Sequence, residues 1–105
     1  MDSTIKTYRN NTEEISCIVS GLDSLSGYTG YLTVVDEIGG TEQFSINTGT
    51  SDGDIVNFTI TFRVSPSNNN ITAGIYKYDI VVSDGTDNYT VAQGKYIVLE
   101  SVKYS

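Results

Sequence analysis

The chain has 105 residues, six Lys and Arg against thirteen Asp and Glu for a net charge of −7, one cysteine and no histidine. That length fits a single domain, residues 1–105, large enough to bury a core without staples. The negative balance repels phosphate backbones and anionic lipid heads, so neither nucleic acid nor a membrane is expected as a partner. A lone Cys17 excludes an internal disulfide, and without His the usual base for a thiol or hydroxyl nucleophile is missing.

The apolar residues are lopsided: Ile and Val number 21, Leu four and Ala two, while Thr adds thirteen more β-branched side chains. Stiff branched side chains favour extended backbone and the best helix formers are scarce, so the chain reads as all-β. The start, Met1-Asp2-Ser3-Thr4, has neither a basic nor an apolar run, and no segment approaches the roughly 20 apolar residues of a membrane span. The expectation is synthesis in the cytoplasm with no signal peptide and no transmembrane segment. Four Asn-x-Ser/Thr sequences, at Asn10, Asn57, Asn70 and Asn88, then read as accidents of an Asn- and Thr-rich composition.

In chain order, Thr4 to Arg9 is a short polar edge strand closed by a turn at Asn10-Asn11-Thr12. Glu14 to Ser20 follows with Ile15, Cys17 and Val19 on its inner face, which gives Cys17 a packing role. Gly21 to Gly30 is a loop with Leu22 and Leu25 as plugs. Tyr31 to Asp36 presents Leu32 and Val34 inward, and Ile38-Gly39-Gly40 turns the chain into Thr41 to Asn47, where Phe44 and Ile46 share a face.

After the loop Thr48 to Gly53, the stretch Asp54 to Val64 alternates along its whole length. Read as one strand, it points Val56, Phe58, Ile60, Phe62 and Val64 into the core. Ser65-Pro66 and the Asn68-Asn69-Asn70 run end it. A turn at Gly74 leads into a strand with Tyr76, Tyr78, Ile80 and Val82 inward, and Asp84-Gly85 signals a hairpin. On the last strand Tyr89 and Val91 are apolar at odd positions but Tyr96 and Val98 at even ones, so one extra residue must be absorbed. A β-bulge at Gly94 is the expected place. About seven or eight strands with turns every 8 to 12 residues is the pattern of an immunoglobulin-like antiparallel β-sandwich.

No nucleophile–base pair, phosphate-cradling loop or His/Cys cluster is present, so no catalytic activity and no cofactor is expected. Two acidic turns, Asp52-Gly53-Asp54 and Asp84-Gly85-Thr86-Asp87-Asn88, have oxygen ligands that Ca²⁺ uses, but Asp-Gly is also ordinary hairpin chemistry. Of eight tyrosines, Tyr76, Tyr78, Tyr89 and Tyr96 fall on inward positions, leaving Tyr8, Tyr28, Tyr31 and Tyr104 for the surface. The sharper signal is apolarity on faces that should be wet. Val81, Ile97 and Leu99 point outward, as does Ile75, and pairing of the last two strands would join them in one patch. Such a patch marks either a partner surface or the seat of a loop or of the chain's own end.

Tyr76 stands two residues before Tyr78 and just after Ala73-Gly74, where immunoglobulin-like domains place their tyrosine corner. Cys17 and Tyr78 occupy the positions of the two antibody cysteines, and the core Trp is absent. More specifically, the chain resembles a recurring immunoglobulin-like domain of tailed-phage virion proteins, including the amino-terminal domain of baseplate upper proteins. The resemblance is carried by Tyr8-Arg9-Asn10-Asn11-Thr12, Leu25-Ser26-Gly27, Ala73-Gly74-Ile75-Tyr76-Lys77-Tyr78-Asp79-Ile80 and Gly94-Lys95-Tyr96-Ile97-Val98. Asn10-Asn11 departs from the Gly-Asp that relatives often carry, and relatives usually attach this domain to longer fibre or baseplate segments.

The resemblance implies a non-enzymatic structural or adaptor subunit of a bacteriophage virion, in the tail, baseplate, fibre, neck or as a head decoration. Its partners would then be other virion proteins or further copies of itself. The alternative is a surface-recognition module that binds host glycan or protein.

Overall fold

The alternation of β-branched and polar residues folds into eight strands in the computed structural model, which describes residues 4–100. They are β1 (Ile5–Tyr8), β2 (Glu13–Ile18), β3 (Thr29–Asp36), β4 (Glu42–Asn47), β5 (Gly53–Val56), β6 (Thr59–Val64), β7 (Gly74–Ser83) and β8 (Asn88–Leu99). A five-stranded sheet, ordered β1-β8-β7-β3-β4, faces a three-stranded sheet, ordered β2-β6-β5. All neighbours are antiparallel except β1, which runs parallel to β8 at the sheet edge. This is an immunoglobulin-like sandwich, and no helix long and apolar enough to cross a membrane occurs among the described residues.

The core is the set of side chains that period two sends inward. Ile15, Cys17, Ile60, Phe62 and Val64 from the smaller sheet meet Leu32, Val34, Phe44, Ile46, Tyr76, Tyr78, Ile80, Val82, Ala92, Tyr96 and Val98 from the larger. Each fully buried aliphatic or aromatic side chain contributes roughly 1.5–3 kcal/mol. Leu25 plugs one end as expected, with Leu22 partly buried beside it. Cys17 is free and buried, and that burial pushes its thiol up, away from nucleophilic character.

Two expectations are corrected. The stretch Asp54 to Val64 is a hairpin, β5 and β6 joined by the two-residue loop Asn57-Phe58. Asn57 adopts φ 55°, a left-handed conformation that Asn tolerates better than most residues. The turn breaks the alternation, so Ile55 pairs with Ile60 while Val56 is 59% exposed and Phe58 also reaches the surface.

The irregularity in β8 lies at Val91, not at Gly94. Ile80 pairs with Ala92 and Val81 with Thr90, leaving Val91 as the extra residue, whereas Gly94 sits in regular register opposite Tyr78. Upstream of the bulge, Tyr89 keeps the inner side as the partner of Val82, but at the end of the sandwich it is left exposed, and its ring packs near that of Tyr28 at 6.4 Å between centroids. Gly74 opens β7 opposite Val98. Tyr104 and Val102, expected on the surface and in the last strand respectively, lie outside the described residues.

Candidate functional site

Two hydrogen-bonded corners fix the end of the larger sheet where the candidate face lies. The Tyr76 hydroxyl donates to the Thr72 carbonyl oxygen at 2.5 Å, the tyrosine-corner geometry. Burial pushes the Tyr76 phenol up, with Asp36 adding to the effect. Asn69, fully buried, ties the loop after β6 to β1 and β8. Its Oδ1 accepts from the Tyr96 hydroxyl at 2.7 Å, and its Nδ2 donates to Thr7 Oγ1 at 2.8 Å and to the carbonyls of Tyr8 and Asn11 at 2.9 Å each. Two N–H bonds serve three acceptors, so one is shared. Burial, with Glu13 nearby, pushes the Tyr96 phenol far above its ordinary value, which keeps it a neutral donor at any ordinary pH. In the sequence the Asn68-Asn69-Asn70 run reads only as a turn, because nothing in its composition separates the buried Asn69 from Asn68 and Asn70.

On the outer face of the five-stranded sheet the pairing register lays the side chains out in rows. Tyr8 stands beside Leu99; Lys6, Ile97 and Ile75 follow; then Lys95, Lys77 and Val35; then Gln93, Asp79 and Thr33; and last Thr90, Val81 and Tyr31. Successive rows are two residues apart along a strand, about 7 Å. Ile75 is 48% and Leu99 39% exposed, and Ile97 is half-buried between them, with Tyr8 open at the edge.

Three of the four outward apolar residues, Ile75, Ile97 and Leu99, therefore come together, while Val81 does not. The lysine row and the Asp79–Gln93 row separate it from them, and it stands, half-buried, beside the exposed Tyr31 in a second cluster. Between the two clusters is a depression of about 510 Å³, lined by Thr4, Thr33, Val35, Lys77, Asp79 and Gln93 with Tyr78 and Gly94 at its floor. Burial there raises the Asp79 carboxyl above its ordinary value.

The bulge at Val91 is what builds the lysine row. Had the register set by the Asp84–Asp87 turn continued unbroken, Lys77 would stand opposite Gly94, and Lys95 would share the inner face with Tyr76. The extra residue moves Lys95 outward and opposite Lys77. The parity break visible in the sequence was the available signal for this pair.

At the opposite end of the sandwich, Tyr28 in the loop before β3 shares a cleft with Phe58 of the β5–β6 loop and packs near Tyr89 at the start of β8. A cleft of about 400 Å³ there is lined by Asp23, Ser24, Leu25, Ser26, Tyr28, Ile55, Asn57 and Phe58. The Tyr28 phenol is pushed up by partial desolvation and by Asp84, Tyr89 and Asp87. The Asp84 carboxylate is engaged by its own turn, accepting from the backbone N–H of Thr86 at 2.9 Å and of Asp87 at 2.7 Å, which lowers its pKa. Among the described residues no group of three or more His, Cys, Asp or Glu side chains is disposed to hold a metal ion.

No protein-family model matches the chain, and a search of curated proteins finds no significant relative. Solved structures do share its fold. One is from Bacteroides vulgatus ATCC 8482, provisionally assigned as a glycoside hydrolase; it aligns over 94% of this chain with TM-score 0.60 at 17% identity. This chain spans only 17% of that protein's length. Another is the extracellular domain of the voltage-gated sodium channel β4 subunit, studied as a parallel homodimer in cell–cell adhesion; it aligns over 96% of this chain and 93% of its own, with TM-score 0.50 at 12% identity. At these identities the likeness is one of fold, an immunoglobulin-like sandwich.

Proposed function

We propose that this domain is a non-enzymatic structural or adaptor subunit of a bacteriophage virion, in the tail, baseplate, fibre, neck or on the head, acting through protein–protein docking. The virion assignment rests on the sequence resemblance. The docking assignment rests on one observation: Ile75, Ile97 and Leu99 with Tyr8 form an exposed apolar group on a rigid sheet face, held at its back by the Asn69 hub and the Tyr76 corner. Contiguous apolar surface of this kind on a folded domain marks a partner site more often than chance. Self-association through the same face belongs to this reading.

A mass-spectrometric inventory of purified virions should contain the chain, and its absence would end the virion assignment. Leu99→Lys or Ile75→Lys should block incorporation while the isolated domain keeps its melting temperature. Unfolding of the variants instead would assign those residues to the core.

A second reading, a recognition module for host glycan or protein, is favoured by the end of the sandwich where Tyr28 stands beside both Phe58 and Tyr89. Exposed aromatic faces beside hydroxyl and carboxamide groups suit sugar stacking. Binding of the free domain to a glycan array, lost in Phe58→Ala, would support it, and no binding at millimolar sugar would reject it.

A further inference from the structure

The lysines of the outer face narrow the partner. The chain carries six cationic side chains against thirteen acidic ones. Three of the six, Lys6, Lys77 and Lys95, lie on this one face, whose acids among the described residues are Asp79 and Glu42. Lys77 and Lys95 are directly opposed on neighbouring strands, and Lys6 stands beside Ile97 in the next row. Like charges opposite one another destabilise a sheet pair. No ion pair of any of the three occurs among the described residues, where Arg9 and Glu100 form a salt bridge at 3.2 Å. The other sheet is arranged conventionally: its outward cation, Arg63, stands opposite Glu14.

A local cost that no ion pair among the described residues offsets, placed next to the exposed Ile75, Ile97 and Leu99, is what a charged docking surface requires. We infer that this face binds an acidic protein surface, one that presents aliphatic side chains over the Ile75–Ile97 pair and carboxylates about 7 Å away over Lys77 and Lys95. The inference rests on the docking reading above and specifies its partner. A second copy bound symmetrically through the same face is disfavoured, because it would bring lysines against lysines. Nucleic acid, the other polyanion, lacks the aliphatic groups that the Ile75, Ile97 and Leu99 rows call for.

The test uses the whole chain and a fluorescein-labelled dodecapeptide in which glutamate and leucine are interspersed, with a lysine-for-glutamate peptide and an unlabelled single-stranded oligonucleotide as comparators. Fluorescence anisotropy should show saturable binding of the acidic peptide, weakened about tenfold or more on going from low to physiological salt. The double variant Lys77→Glu with Lys95→Glu should lose the acidic peptide and gain the basic one, and Arg63→Glu on the opposite sheet should leave binding unchanged. Equal affinity for both peptides, no binding of either, displacement of the acidic peptide by the oligonucleotide, or an equal loss in Arg63→Glu each overturns the inference. Its failure is separable from failure of docking itself. If Leu99→Lys blocks incorporation into particles and the double lysine reversal does not, docking stands and the acidic partner falls.

Discussion

Lys95, Tyr96 and Ile97 follow one another on β8, yet the two faces they serve follow opposite rules. On the inner side Tyr96 ends in a hub where every polar atom is paired: its hydroxyl donates to Asn69, and Asn69 donates in turn to Thr7, Tyr8 and Asn11. No buried side-chain nitrogen or oxygen among the described residues lacks a hydrogen-bond partner. On the outer side Lys95 faces Lys77, and Ile97 faces Ile75 in the open. An unpaired polar group costs most where water is excluded, so folding dictates the residues of the hub. Water screens the outer lysines and hydrates them, so folding tolerates them without requiring them.

The contrast breaks if the hub is dispensable, and that experiment carries the largest expected effect. Asn69→Ala removes the acceptor of the Tyr96 hydroxyl and the donor of two backbone carbonyls at once, and should cost about 3 kcal/mol or more in urea unfolding. A loss under about 1 kcal/mol would mean that water replaces the side chain and that β1 is not held by it. Tyr76→Phe deletes a single bond, to the carbonyl of Thr72, which is exposed enough to be rehydrated. Its cost should be about 1 kcal/mol, measured the same way.

The sequence made the sandwich legible because its fold depends on alternation, and alternation is written residue by residue in β2, β3, β6 and β7. It hid what depends on pairing between distant segments. Asn57 turns the chain within an unbroken polar–apolar pattern, so from sequence β5 and β6 read as one strand with Val56 and Phe58 inward. The bulge was detectable as a change of parity, but parity cannot say which residue is extra; only the β7 partner strand fixes it at Val91. The outward apolar set was visible by the same parity. Its division into an Ile75–Ile97–Leu99 group and a separate Val81 required the rows between them. Asn69 could not be singled out at all, since its role comes from strands some 60 residues earlier and 27 later.

The outer face predicts the reverse sign. Lys77→Glu turns a like-charge pair across β7 and β8 into an opposite one, and should stabilise the isolated domain by about 0.2–1 kcal/mol. The same change should abolish capture of an acidic partner. Gain of stability with loss of binding is what distinguishes a surface kept for docking from one that is merely solvated. A destabilised variant would show that Lys77 packs across the sheet through its aliphatic stem.

Asp79 provides the smallest and most specific test, because it lies in the row next to the lysines, flanked by Thr33 and Gln93, and its carboxyl is raised from 3.8 by burial in the depression. A carboxyl raised in the folded state binds its proton more tightly there than in the unfolded chain. Its contribution to stability is therefore full below the ordinary carboxylate range and is lost as pH rises through the raised value. At neutral pH Asp79→Asn should be slightly more stable than the parent, by roughly a few tenths of a kcal/mol once solvent screening is allowed for. The difference should shrink toward zero as both are acidified below about pH 4. If the gain instead persists unchanged at low pH, the carboxamide is making a contact of its own and desolvation is not the cause. If Asp79→Asn is less stable at neutral pH, Lys77 and Lys95 already use Asp79 as their counterion, and the basic face is less available to a partner than its exposure implies.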